Sequence, residues 1–407
     1  MMAGAPEIEQ RARAGADSVY SFVERRAEHV PEGVRWQTLT WENEPQYDFS
    51  VFWGSGGIPL FLADYSRLTG DTRALDLAIR GAQWCSQPER LSEGSAEEWR
   101  NDGLVRGRAG VGMAWLRIAQ AAGVDRAAMA QAAAVGDHLL NRTPGPYTDW
   151  LDGATGEGIF LLRLAQASGE ERFLDGARRW GDWLAGVAIR DQHGLYWPWA
   201  VGTDDPPWYG LSFVPGAAGN SHFLLSLYQE TQDARLADVA REAGETLRRQ
   251  AVPDRGGLNW PDTLDGLAQG EPLKAQWCYG APGVGIFFAK LHEALGDPKD
   301  LETAEAAGEC TYQHGDVRRN ACQCHGLAGN GDLLLDLYQV SGKQVWLDRA
   351  HDFARRAFAY RRTKPAGDEW QADDAGFYAP EFMLGASGTG HFFLRLWQRG
   401  ALTRPLL

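Results

Sequence analysis

Two stretches of this 407-residue chain place soft metal donors in matching positions. Cys278 stands two residues before Gly280, and Cys324, followed directly by His325, stands two residues before Gly326. Both glycines open a Gly-x-x-Gly segment that runs into an apolar stretch. Two thiolates and one imidazole suit zinc, and three protein ligands leave one tetrahedral position open, the pattern of a catalytic rather than a structural site. The expectation is one zinc ion per chain, held by Cys278, Cys324 and His325. Such an ion would keep an incoming thiol deprotonated well below the pH of roughly 8.5 at which free cysteine ionises. Cys322, two residues before Cys324, is the candidate for a fourth ligand that would close the site, and is the less favoured reading. Cys85 and Cys310 fall in helical stretches and read as core thiols.

Matching positions matter only if the fold brings them together. The Gly-x-x-Gly element recurs seven times, starting at Gly54, Gly107, Gly153, Gly216, Gly280, Gly326 and Gly385. Each copy leads a helix that is apolar over most of its circumference, and the space between copies holds a second, amphipathic helix such as ARLADVAREAGETLRRQ or VWLDRAHDFARRAFAY. Seven buried and seven amphipathic helices predict an all-α, double-walled α/α toroid, with residues 1–407 as a single domain. An open solenoid would need end repeats with a polar outer face, and none is evident. In a closed ring, equivalent points on neighbouring inner helices lie about 8–10 Å apart, so the loops of the fifth and sixth copies can converge on one ion.

The alignment is supported by an apolar stripe seven residues after each first glycine: Phe61, Ala114, Phe160, Phe223, Phe287, Leu333 and Phe392. One position earlier, His222, Asp332 and His391 break an otherwise apolar rule and need buried partners. Glycines at positions 1 and 4 share a helix face, which allows close approach by neighbouring helix ends or by a ligand. GVRW at Gly33, GLYWP at Gly194 and GLNWP at Gly257, with AGFYAPEF near Gly376 as a degenerate copy, predict short extended segments whose aromatic rings pack under loops at one end of the ring.

Composition removes several classes of function. A formal net charge of −14 argues against nucleic acid as a partner, because the phosphate backbone calls for a basic surface. No window approaches the apolar length of a membrane span. The N-terminal stretch MMAGAPEIEQRARAGADSVY has no apolar core of a secretion signal, and five cysteines leave one unpaired in any disulfide scheme. A cytoplasmic protein without a disulfide framework is expected.

WCYGAPG (Trp277 to Gly283) and CHGLAG (Cys324 to Gly329), set among seven Gly-x-x-Gly helices, resemble the lanthionine synthetase C-like cyclases over nearly the whole chain. The resemblance implies a ring of seven helix pairs with zinc at one end, and Cys278, Cys324 and His325 as its ligands. It implies a substrate too: a dehydrated precursor peptide, whose cysteine thiolate adds to dehydroalanine or dehydrobutyrine to form a thioether ring. The family's Asp four residues before the third copy's first glycine corresponds to Asp149, for proton handling or for orienting a neighbour; capping of the helix start is the competing role. Where the family carries an acid/base His just before the fourth copy, this chain has Pro215, which transfers no proton. Tyr279, His222 or water held by Asp149 are then the candidates for that duty, and Lys274 stands for the basic residue expected upstream of Cys278. Some relatives are fused to kinase and lyase domains that dehydrate the peptide; nothing of that kind is present, so a separate dehydratase is the implied partner.

Three other readings stand beside this one. The protein could be a zinc-bearing peptide binder or scaffold without catalysis, a possibility raised by Pro215. It could add a small thiol such as glutathione to an acceptor. Or it could be a carbohydrate-active enzyme using Asp149 with Asp152, Asp204 with Asp205, or Asp373 with Asp374, which predicts independence from metal and leaves the matched Cys and Cys-His unexplained.

Overall fold

The computed structural model describes residues 5–87, 102–123, 125–316 and 319–407. After α1 (Ala5–Arg25), helices come in consecutive pairs: α2 (Ile58–Thr69) with α3 (Thr72–Cys85), α4 (Arg108–Ala121) with α5 (Arg126–Leu140), and α6 (Ala154–Ser168) with α7 (Glu171–Gly186). They continue with α8 (Ala217–Thr231) and α9 (Ala234–Gln250), α10 (Ala281–Leu295) and α11 (Pro298–His314), then α12 (Leu327–Ser341) and α13 (Gln344–Ala357). The last is α14 (Ala386–Trp397), and its pairing partner is α1. Each Gly-led helix packs on its two Gly-led neighbours, and α14 closes on α2. The result is the double-walled α/α toroid, seven helices inside and seven outside among the described residues. The seventh outer helix precedes the first inner one in the chain.

The local sequence explains the tight turns between paired helices. Gly296 ends α10 in the left-handed region, at φ 78°, and the next residue, Asp297, caps α11 by accepting from the Lys299 N–H at 2.9 Å. Asp71 and Asp233 cap α3 and α9 in the same way.

The Gly-x-x-Gly glycines are there for the chain's own backbone. A Cβ on Gly283 would lie 2.2 Å from the carbonyl oxygen of Trp277, and one on Gly329 would lie 1.9 Å from that of Gln323. Gly110, Gly156, Gly219 and Gly388 meet the carbonyl six residues earlier in the same manner. Each inner helix thus begins beneath a loop folded flat across its first turn, and Cys278 and Cys324 are the residues that follow these pressed carbonyls. Gly329→Ala must lift the Gln323–His325 loop. Overpacking of this kind costs about 1–3 kcal/mol, so chemical denaturation should show that loss, together with weaker metal retention.

Among the described residues, four two-stranded hairpins follow outer helices: β1 (Ala27–Val30) with β2 (Gly33–Trp36), β5 (Ile189–Asp191) with β6 (Gly194–Tyr196), β7 (Val252–Asp254) with β8 (Gly257–Asn259), and β9 (Arg361–Lys364) with β10 (Gly367–Trp370). A shorter pair, β3 (Thr38–Leu39) and β4 (Pro45–Gln46), lies in the loop before α2. The fourth copy of the loop element is therefore GDEW at Gly367, and not AGFYAPEF, which forms a loop with an isolated bridge between Gln371 and Tyr378. The Trp of each copy is buried. The Nε1–H of Trp36, Trp197 and Trp260 donates to the carbonyl thirteen residues earlier, on Val23, Leu184 and Leu247, at 2.9, 2.7 and 2.7 Å. These rings serve packing: each ties a hairpin to the end of its outer helix.

Two of the polar residues in the apolar rule are stitches between inner helices. Asp332 on α12 receives the Arg395 guanidinium of α14 at 2.5 Å and the Gln323 amide at 2.8 Å, while His391 on α14 meets Asp64 of α2 at 3.1 Å. The chain from Leu402 to Leu407 folds back against the inner helices, with Leu402 and Leu406 buried and Arg404 bonded to Asp336 at 2.6 Å. Among the described residues, no helix is long and apolar enough to cross a membrane.

Candidate metal centre

The residues two places before each first glycine form a belt around one end of the ring. Backbone hydrogen bonds join several successive loops at this level: Phe52 N–H to Val105 O, Val105 N–H to Leu151 O, Val214 N–H to Cys278 O, and Cys324 N–H to Met383 O, at 2.9–3.1 Å. Among the described residues no such bond joins Cys278 to Cys324. There the side chains meet instead: the Sγ atoms of Cys278 and Cys324 and a ring nitrogen of His325 all lie within 4.8 Å of one another. Both thiols are buried and the imidazole is nearly so.

This donor set can hold a metal ion, and its electrostatics show what the ion would relieve. Burial would raise the Cys278 thiol, but a hydrogen bond from Cys324 and the charge of His325 more than reverse that and hold it down. The Cys324 thiol, sharing that hydrogen bond and buried beside Cys278, is pushed far up. Burial lowers the His325 imidazole, yet the negative charge of Cys278 and the carboxylate of Asp373 drive it up to about 10. His325 Nδ1 lies 3.2 Å from Asp373 Oδ2, at ion-pair distance but not aligned as a hydrogen bond. Two converging sulfurs and a ring nitrogen of an imidazole whose Nδ1 faces a carboxylate make a donor set that fits a thiophilic divalent cation.

Asp373 belongs to the loop after β10 and fixes the far side of His325, the usual role of a carboxylate behind a metal-bound imidazole. Cys322 points toward it, with Sγ 3.7 Å from Asp373 Oδ1, and accepts the His325 N–H at 3.4 Å. Asp254, Cys310 and His314 form a separate cluster. There one Asp254 oxygen is taken up by His314 at 2.6 Å, Asn259 at 2.8 Å and the Cys310 thiol at 3.6 Å, and the group anchors β7 and β8 to α11.

The other sequence candidates are spread more widely. Tyr279 follows Cys278, is mostly buried, and has its phenol pushed up by burial and by the negative charges of Cys278, Asp262, Cys324 and Asp149. Lys274 sits 4.5 Å above its ring and is paired with Asp262. Asp149 is buried with both oxygens engaged: Oδ1 accepts the N–H groups of Leu151 at 2.6 Å and Asp152 at 2.9 Å, and Oδ2 accepts Trp199 Nε1–H at 2.7 Å. It caps the turn before α6; the helix start itself has no side-chain cap. His222 lines a different cavity, within the ring, with Arg163, Lys290 and Arg404; burial and those cations hold it neutral. Pro215 follows a cis peptide bond in the fourth copy's loop.

The family model for lanthionine synthetase C-like proteins matches residues 45–402. The glutathione S-transferase LANCL1 of Danio rerio is 34% identical over 157 residues, a segment covering 38% of each chain, so the match spans well under half of that relative. Among solved structures, nisin cyclase superposes with a TM-score of 0.64 at 16% identity, covering 94% of this chain and 93% of the other. The GH76 α-mannanase BT2949 of Bacteroides thetaiotaomicron shares the ring as well, with a TM-score of 0.55 at 12% identity and 95% coverage of both chains. These likenesses at low identity concern the fold.

Proposed function

As the chain belongs to the lanthionine synthetase C-like family, we propose that it is a zinc-dependent cyclase, adding peptide cysteine thiolates to dehydroalanine or dehydrobutyrine to form thioether rings. The observation that carries this reading is the convergence of Cys278, Cys324 and His325 at one end of the toroid. Zinc bound by these three residues would act as a Lewis acid that keeps a substrate thiol ionised. Tyr279, protonated at neutral pH and beside the cysteines, offers an O–H to the oxygen on which negative charge develops. Asp149, with three donors on it, holds the neighbouring loop and Trp199 in place. The substrate on this reading is a dehydrated precursor peptide supplied by a separate dehydratase.

The test uses a synthetic peptide containing one dehydroalanine and one cysteine. Ring closure leaves the mass unchanged and removes the free thiol, so maleimide labelling followed by mass spectrometry reads it directly. The expected result is protein-dependent loss of labelling that disappears when the protein is stripped with a chelator and returns with zinc. Labelling that stays complete in every condition would overturn the reading.

One observation favours a second reading: the matching segment of the Danio rerio relative belongs to a protein named as a glutathione S-transferase. If this chain adds glutathione, a cysteine-free dehydroalanine peptide will gain the mass of one glutathione when both are supplied.

A further inference from the structure

We propose that Glu381 is the acid that protonates the α-carbon after the peptide sulfur has added, an inference that rests on the cyclase reading above. Glu381 lies four residues before the first glycine of the seventh copy, the register held by Asp149 in the third and Cys322 in the sixth. The sixth and seventh copies are ring neighbours, and the Cys324 N–H is bonded to Met383 O, two residues beyond Glu381, at 2.9 Å. This places Glu381 on the belt beside the loop that carries Cys324 and His325.

The residue is only 1% exposed and lines a cavity of about 190 Å³ together with Trp41, Asp373, Asp374 and Leu384. Two of these walls also touch His325: Asp373 at 3.2 Å, and Trp41 edge-on at 6.2 Å between ring centres. The contrast with Asp149 is chemical. Both oxygens of Asp149 accept hydrogen bonds, three in all, whereas Glu381 Oε2 has no hydrogen-bond partner among the described residues. Burial of a carboxyl with one oxygen unpartnered favours the neutral acid. Burial pushes Glu381 up to about 8, against a smaller opposing pull from its own backbone N–H and from Arg26. A carboxylic acid kept protonated at neutral pH, in a recess beside a thiol-binding centre, is the group that Pro215 fails to provide.

The step balances. The thiol proton leaves to solvent when the sulfur ionises, the sulfur lone pair forms the C–S bond at the β-carbon, and the alkene electrons move onto the adjacent carbonyl as an enolate. Glu381 gives its proton to the α-carbon, the enolate electrons form that C–H bond, and solvent returns a proton to Glu381. Delivery from one fixed side also sets the configuration at the α-carbon.

The experiment compares the parent, Glu381→Gln and Asp149→Asn on the dehydroalanine–cysteine peptide, with zinc content and thermal unfolding measured for each. Gln is close in shape to the neutral acid, so Glu381→Gln should keep its zinc and its unfolding temperature. Its ring-closure rate should fall about a hundredfold or more, the usual contribution of a positioned acid. The residual product should be a mixture of α-carbon epimers where the parent gives one. A Glu381→Gln protein that closes the ring at the parental rate with a single epimer overturns the inference and leaves the cyclase reading standing. A zinc-loaded parent that closes no ring overturns both.

Discussion

Replacing Cys278 and Cys324 together by alanine should take zinc content from about one ion per chain to nearly none, and ring closure with it. The two sulfurs come from loops of different copies, Cys278 ahead of α10 and Cys324 ahead of α12, and no backbone bond spans them at that level. Removing both leaves His325 with Cys322 and Asp373, whose donor atoms lie within 4.8 Å of one another, but burial and the charge of Asp373 push the Cys322 thiol far up and make it a poor ligand. The substitutions themselves are mild for the fold, because a small apolar residue suits either buried site. Elemental analysis of the purified parent and variant checks this. A folded variant that still carries a full complement of zinc would remove the basis of the proposed chemistry.

The second large effect concerns stability. Asp332→Ala should destabilise the protein by about 3–5 kcal/mol, the usual consequence of removing one member of a buried ion pair. Arg395 and Asp332 are both almost fully buried, so the guanidinium would keep only Asp336, at 2.8 Å, and the Leu402 carbonyl, at 2.9 Å. The Gln323 amide would lose its acceptor too, and Gln323 immediately precedes Cys324. Urea unfolding should therefore show an earlier midpoint, and zinc should be released more readily below it. An unchanged midpoint would mean that Asp332 and Arg395 do not hold α12 to α14.

Much of this was legible in the chain. Seven Gly-x-x-Gly copies in register were enough to infer the double wall, because a helix apolar all round must be inside. The same register places Cys278 next to Cys324 around the ring. The position of the seventh outer helix was harder to read: its sequence at Ala5–Arg25 carries no mark of the partner it takes, which lies at the other end of the ring sequence. The fourth hairpin had a usable signal, since Trp370 follows Gly367 by three residues just as Trp36, Trp197 and Trp260 follow their glycines. Density of aromatic residues near Gly376 pointed to the wrong stretch. Asp373 was legible only as a carboxylate next to Asp374, and Glu381 only by its place four residues before a first glycine; neither signal led to the metal centre. Both sit in irregular loops without periodicity, and only the closure of the ring decides that one faces His325 and the other loses its water.

That closure also orders events in time. Among the described helices α1 is made first and its partner α14 last. Contacts this distant in sequence form late, since the whole intervening chain must be ordered before they reward the loop they close. Until then α1 offers an unsatisfied apolar stripe, and α2 and α12 each lack one neighbour. The nascent protein is an open arc with two sticky ends, able to accept the α1 of another unfinished copy as readily as its own. Exchange of this first helix between chains is the misassembly to which such a ring is most exposed.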